Sequence, residues 1–559
     1  MVALLLRSRS LSIFHQMAVK TLLALSVLLL VATSVPVAAQ ESDEDVIVEA
    51  PRQITGNADP LRLFNIPSLA VHPDDPATIA MAVGDTRNGG CGLWVSQDAG
   101  LSWTNPAPTL LPEDQPFCIQ RPRGDTTYAN FAPDGTLYVS LSGSSPETGH
   151  PNGPISLLVA RTEDLGRTHE TVTVAAADRV TLDPADYGSE GEAEEGNLWH
   201  KFSRLAVDPS DPEKLYVGWR WGLWGLDLQR PDASLPFRPY IASSDDGGVT
   251  WAESTDLLAA ATGEEGYGGS AALPVVGPDG TVYAFSKESV QSPPEGQTRP
   301  PSRLLMFKST DEGETWASSV ADDGARSFDI AVPSVDPDTG DLYLVYGARE
   351  ATGDDDPPSP SNVYFTMSSD DGATWSEPID ITDDDPSRTG DQYLPGISVA
   401  PNGRIDVAWY DFRNDPFYSP EGVEGMGNTV GQRYWDVYYS YSDDTGATWS
   451  PNVRITKTFV DGAEGVTFAN SDTRGPMGIA SSDGAAHFAW SDSRPTGRTG
   501  DAEDAYFTRA RFSAAPSPAS ATGDDSPWAW AVVGAGAALA LAGLALFVGV
   551  RRSKSTVER

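Results

Sequence analysis

The stretch Met367 to Trp375, M-S-S-D-D-G-A-T-W, governs how the rest of the chain is read, because near-copies of it return along the whole length. The pattern S-x-D-x-G-x-[ST]-W occurs at Ser96 to Trp103, Ser244 to Trp251, Ser309 to Trp316, Ser368 to Trp375 and Ser442 to Trp449, and a worn copy, T-E-D-L-G-R-T-H, spans Thr162 to His169. Each position has a physical task in a tight turn. Ser368 and Asp370 carry short side chains that hydrogen-bond nearby backbone N–H groups. Gly372 permits a positive φ. Trp375 opens the next strand with a large apolar surface able to fill the gap against a neighbouring sheet. Extended apolar runs such as L-L-M-F and V-Y-F-T-M precede the copies, which places each box between two strands. A feature repeated around a structure is scaffold rather than a single active site, so Asp98, Asp164, Asp246, Asp311, Asp370 and Asp444 are expected to be structural.

A second repeat precedes each box. It reads P-S-L-A-V-H-P at 67, Y-A-N-F-A-P-D-G at 128, S-R-L-A-V-D-P at 203 and A-L-P-V-V-G-P-D-G at 272. It continues as V-P-S-V-D-P-D-T-G at 332, L-P-G-I-S-V-A-P-N-G at 394 and P-M-G-I-A-S-S-D-G at 476. Each copy is a strand, a turn carrying Pro, Asp or Gly, and a second strand. Units of roughly 60 to 80 residues with three or four short strands fit the blades of a β-propeller. The fold expected is therefore all-β, with four-stranded meander blades, seven of them preferred and six the alternative. The seventh unit ends on the strand D-A-Y-F-T-R-A-R-F and lacks a box. Val46 to Thr55, V-I-V-E-A-P-R-Q-I-T, is the candidate fourth strand that closes the ring and removes its open edges.

Both ends of the 559-residue chain point to a membrane. Residues 1–39 read as a secretory signal peptide, with the true start at Met1 or Met17 and cleavage near Ala39. Residues 40–511 are the expected ectodomain and 512–527 a Pro/Ala/Ser linker. The uncharged stretch 528–550 has the length of a bilayer-spanning helix, and the basic start of 551–559 marks a cytoplasmic tail. The formal net charge of −41 argues against nucleic acid as a partner. The acidic runs Asp354 to Asp356 and Asp383 to Asp385 read as solvated loops rather than metal sites, and no cofactor is expected. Cys91 and Cys118, the two cysteines, lie in the exported part, where a disulfide is permitted.

In a meander blade the boxes lie on one face, and the opposite face collects the connections between strands 2 and 3 and between successive blades. Those are the long ones: 185–202, 221–238, 258–271, 412–435 and 458–475. A small motif recurs after strand 2, as Asp85 with Arg87, Asp411 with Arg413 and Asp492 with Arg494, and Arg220 and Arg349 occupy similar places. Arginine grips a carboxylate with two parallel hydrogen bonds. Either these arginines bind a ligand, or each pairs with a neighbouring Asp and braces adjacent blades.

Boxes of this form in a meander propeller resemble the sialidase (neuraminidase) superfamily, the BNR or Asp-box repeat proteins, over residues 46–511. The resemblance implies an arginine triad for a sugar carboxylate, an Asp acid/base and a Tyr/Glu nucleophile. The family's first arginine lies in an F/Y-R-I-P motif. Here that motif is Phe64-Asn65-Ile66-Pro67, with Asn65 in the arginine's place; Arg62 and Arg474, the latter in T-R-G-P, stand nearest to it. Asp85 falls near the acid/base position, and Tyr393, Tyr267 with Glu265, and Tyr434 with Glu424 are the nucleophile candidates. Two functions follow: a surface-anchored propeller that recognises extracellular glycans or proteins through its long-loop face, or an exo-sialidase-type hydrolase.

Overall fold

In the computed structural model the residues described run from 46 to 512, apart from 56–63, 86–89, 119–126, 145–153, 177, 183–193, 225–236, 263–267, 290–302, 325–326, 329–330, 350–359, 385–389, 417–433, 462–476 and 494–503. The expected signal peptide, membrane helix and tail lie outside these residues. Among the described residues no helix is long and apolar enough to cross a membrane. The chain divides after Phe512, and the strand Asp504–Phe512 takes in the first residue assigned above to the linker.

The apolar runs that precede and follow each turn pair as antiparallel strands, giving seven sheets. Blade 1 is Phe64–Val71, Ile79–Asp85, Gly90–Ser96 and Thr104–Ala107, in that order from the inside outward. The inner strands of blades 2 to 6 are Tyr128–Phe131, Glu194–Asp208, Leu273–Val276, Val332–Val335 and Gln392–Val399, and that of blade 7 is Gly478–Ser482. Each touches the inner strand of the next, and the last returns to the first, so the seven sheets form a closed ring. Second strands such as Ile79–Asp85, Ile405–Asp411 and Ala485–Asp492 are buried along their whole length. They lie between two neighbouring blades and so carry apolar residues on both faces, whereas the outer strand Ile379–Asp380 is exposed.

Each box turn has one geometry. The serine or threonine hydroxyl accepts the glycine N–H at 2.8–2.9 Å and donates to the aspartate Oδ1. The aspartate Oδ1 also accepts the backbone N–H four residues on at 2.8–2.9 Å, and Oδ2 accepts that residue's hydroxyl at 2.5–2.8 Å. The turn demands more than one left-handed residue. Besides the glycine, the residue before it has positive φ: Ala99 (57°), Leu165 (60°), Glu312 (61°), Asp371 (58°), Thr445 (58°), and Gly247 (69°) in blade 3. Five L-residues are thus held where the backbone is unfavourable by about 1–2 kcal/mol each, and the aspartate's ring of hydrogen bonds is what holds them.

The turns also join the blades. The box glycine faces a side chain of the preceding blade: Phe507 behind Gly100, Leu93 behind Gly166, Met306 behind Gly372 and Phe365 behind Gly446. The box tryptophan packs there too, with Trp103 edge-on to Phe507 and Trp449 edge-on to Phe365, both at 5.1 Å. Blade 7 has no box, and a different clamp holds its seam with blade 6. Arg404, 2 % exposed, pairs with the buried Asp406 and donates to the carbonyls of Ser482 and Asp483, each at 2.9 Å.

The N-terminal segment closes the ring. Val46–Val48 and Arg52–Gln53 pair antiparallel with Asp504–Phe512, as the fourth strand of blade 7. Glu49 accepts from Arg509 and Arg511, while Arg509 and Arg52 donate to the carbonyls of Ala99 and Gly100 in the first box. Cys91 and Cys118 form a disulfide with their Cα atoms 5.4 Å apart. Because Phe117–Cys118 pairs with Ser144 and Gly143 of blade 2, this bond ties blade 1 to blade 2.

Two stretches expected to be loops contain regular structure. Blade 3's inner hairpin is extended by Glu194–Asp208 and Asp211–Trp224, with cross-strand pairs His200 with Trp221 and Trp199 with Gly222. Leu257–Thr262 is a short helix whose first N–H groups are capped by Asp256 (3.1 and 3.2 Å) and whose Leu257 and Leu258 are buried.

Two measurements test the turn. Alanine at Gly446 would drive its Cβ into the Phe365 ring at a φ of +84°, so Gly446→Ala should cost about 3 kcal/mol in denaturant unfolding. Thr445→Gly, one residue earlier, should be neutral or stabilising by up to about 1 kcal/mol. The hydrogen bonds from Ser102 and Thr374 hold the carboxyls of Asp98 and Asp370 down to about 2. A carboxyl depressed in the folded chain stabilises it above its unfolded value near 3.9, and that contribution disappears as pH falls through about 2. Thermal unfolding of Asp98→Asn should therefore show less acid destabilisation than wild type between about pH 4 and 2.

Candidate functional site

The arginines expected to face a ligand have taken up different posts. Arg413 donates from Nε to Asp411 (2.8 Å), from Nη1 to Asp383 (2.9 Å) and from Nη2 to Asn452 (3.0 Å), and its guanidinium stacks over Tyr438 at 4.2 Å. Asp411 is fully buried and also accepts the indole N–H of Trp409 (2.9 Å). The same Trp-to-Asp bond recurs between Trp490 and Asp492 (2.9 Å). Asp411 and Asp492 thus each anchor the tryptophan two residues before them, a role Asp85 does not share, since Val83 stands at that place. Arg349 pairs with Asp391 at 2.7 Å, bracing blade 5 against blade 6. Arg220 lies between the rings of Phe202 (4.2 Å) and Phe237 (4.3 Å).

Asp85 is buried at the end of its strand and engaged by neighbours. Tyr393 is 9 % exposed and lies flat on Phe412, with ring centres 5.3 Å apart and planes at 6°, as a core residue would. Tyr434 packs edge-on against Phe459. Arg62, Arg87, Arg474, Arg494, Glu265, Tyr267 and Glu424 lie outside the described residues. Among the described residues no cluster of His, Cys, Asp or Glu could hold a metal ion.

A cavity follows the ring axis. Its box-side part is lined by the inner strands of all seven blades. Its long-loop side is lined by Phe202, Leu273, Ile397, Met477 and Ile479, with the hydroxyls of Ser68, Thr127 and Ser203 among them. Arg204 lines both parts, is half-buried, and carries the charge of the lining. Its guanidinium stacks over Tyr128 at 4.6 Å, and it has no carboxylate partner among the described residues. On the same strand burial draws His200 down to about 4, so that residue is neutral at pH 7 and accepts the Trp219 indole N–H at Nδ1 (2.9 Å).

Local backbone explains how Arg204 is aimed. The inner strand shifts register between Lys201 and Arg204, with Phe202 at a φ of 56°. Blade 6 repeats this between Tyr393 and Gly396, with Leu394 at 51°, and blade 1 shifts between Asn65 and Ser68. Such bulges re-aim side chains and gather at functional rims. Sequence reading passed Arg204 over, although a signal existed. Counting five residues back from the turn prolines Pro73, Pro133, Pro209, Pro278, Pro337 and Pro401 gives Ser68, Tyr128, Arg204, Leu273, Val332 and Gly396. One charged residue stands in an otherwise neutral ring.

No protein-family model matches the sequence, and no curated protein matches it. Solved structures are similar at low identity. The Hadza microbial sialidase Hz136 aligns at 15% identity over 78% of this chain and 76% of its own, with a TM-score of 0.40. An α-L-arabinofuranosidase from Fusarium graminearum aligns at 12% over 83% and 98%, TM-score 0.42. Trypanosoma rangeli sialidase aligns at 13% over 67% and 52%, TM-score 0.36. Likenesses of this size say nothing of this chain's chemistry.

If Arg413 is a brace, its loss strands the buried carboxylate of Asp411. Arg413→Ala should cost about 3–5 kcal/mol, read as a lowered midpoint in chemical denaturation, and Arg413→Lys should recover part of it.

Proposed function

We propose that this chain is a surface-anchored, sialidase-like propeller of the Asp-box type. Its long-loop face recognises an extracellular glycan or protein, and residues 528–550 hold it to the membrane. The observation that carries this reading is the commitment of Arg349 and Arg413 to the carboxylates of Asp391, Asp411 and Asp383. Hydrolysis of a sialoside on the pattern of the resemblance calls for arginines free to grip a sugar carboxylate and a tyrosine free to attack. Here the two arginines brace blades and Tyr393 is packed against Phe412. The scaffold and its long connections are what recognition requires. Purified, folded full-length protein should release no fluorophore from an α-linked fluorogenic sialoside, while retaining immobilised glycans or surface proteins in a binding assay. Steady turnover of the sialoside would establish the hydrolase reading in its place.

A further inference from the structure

The axial cavity poses a question separate from the long-loop face. Acidic residues outnumber basic ones 79 to 38 in this chain, and the cations at the blade seams have found carboxylates. Arg349, Arg404, Arg413 and Arg454 are each paired with an aspartate within 2.9 Å. Arg204 is not, though it is half-buried and lines the axial cavity. The Arg204 nitrogens are not among the buried polar atoms left without a partner, so they stay within reach of water, and a ligand carboxylate would take that water's place. The backbone around it is shaped for that position at some expense, with Phe202 in the left-handed region one residue beyond Lys201.

We infer that the axial cavity is a binding site for a small organic acid with an apolar body, its carboxylate held by Arg204. The planar fork of arginine matches a carboxylate with two parallel hydrogen bonds. The rest of the ligand meets Phe202, Leu273, Ile397, Met477 and Ile479 on the long-loop side of Arg204. Those side chains bind hydrocarbon, while Ser68, Thr127 and Ser203 add hydroxyls to the same lining, so an apolar body is favoured by the larger, apolar share of the wall. The Tyr128 ring, 4.6 Å from the Arg204 guanidinium, helps to hold it in place.

The test uses the full-length protein, isothermal titration calorimetry and three probes: 3-phenylpropionate, its neutral amide 3-phenylpropanamide, and glucuronate. The phenyl acid should bind at least about tenfold more tightly than the amide, as expected for a charge-assisted pair, and more tightly than glucuronate. Arg204→Met should remove that preference and leave the amide's affinity unchanged. Equal binding of acid and amide, or undiminished acid binding in Arg204→Met, would overturn the assignment, as would absence of binding by the phenyl acid. Tighter binding of glucuronate would overturn the apolar class. If Arg204→Met does not fold, the acid-to-amide ratio on the wild-type protein decides the matter alone. Because none of these probes is a sialoside or a surface ligand, the result is independent of the long-loop reading.

Discussion

The constraint on which the architecture depends is the packing of each box turn against the blade before it. A propeller blade has no core of its own, since its second strand is buried on both faces and needs a neighbour on each side. The turn supplies a rigid corner at that seam. The aspartate satisfies a backbone N–H and a hydroxyl at once, which holds two successive residues left-handed and brings the glycine Cα against the neighbour's side chain. A Cβ there would meet Met306 or Phe365, so glycine serves both the φ and the close approach. The same corner sets the tryptophan on the neighbour's aromatic ring.

Ring closure is the second constraint and brings together residues far apart in sequence. Arg509 and Glu49 are separated by 460 positions, and for a loop of that length the closure entropy is roughly 5 kcal/mol. Several interactions together offset it: two short strand pairings, the arginines around Glu49, the Gln53 and Thr55 bonds to Asp504, and the donation from Arg52 and Arg509 into the first box. Because those last bonds end on the box of blade 1, the closing strand also supports the seam that blade 7, lacking a box of its own, shares with blade 1. The seam between blades 6 and 7 relies on the buried Arg404–Asp406 pair, whose fork reaches two turn carbonyls and which sits 3.7 Å from the Phe512 ring.

Around the rim, electrostatics serve the scaffold. Among the described residues, Arg303, Arg349, Arg404, Arg413 and Arg454 lie where a carboxylate would otherwise be buried alone. That is why Arg349 and Arg413, which in sequence look like ligand-gripping residues, turn inward to Asp391 and Asp411. At the axis the logic is reversed, since Arg204 lines the cavity and stacks on the Tyr128 ring with no carboxylate partner among the described residues.

Repetition made the fold legible. Six boxes and seven strand-turn-strand units identify a propeller, and the missing strand of the last unit points to Val46 to Thr55, because local patterns record local turns and the alternation of buried and exposed residues. The structural role of Asp98 and its five counterparts was legible for the same reason. The left-handed residue before each box glycine was not, since Ala99, Leu165 and Thr445 carry no local preference for that conformation; only the hydrogen-bonded turn and the seam behind it impose it. Nor could sequence say which partner each arginine takes. Asp85, Asp411 and Asp492 share one motif with their arginines, yet the brace made by Arg413 reaches Asp383 and Asn452, some 30 and 39 positions away. Sequence alone therefore determined the repeat and pointed to the closing strand and to seven blades over six, a count the seven sheets decide. Tertiary structure decided which charges are spent at the seams and that Arg204 is left at the axis, because ion pairing depends on which side chains the closed ring brings within about 3 Å, a distance that spacing along the chain does not encode.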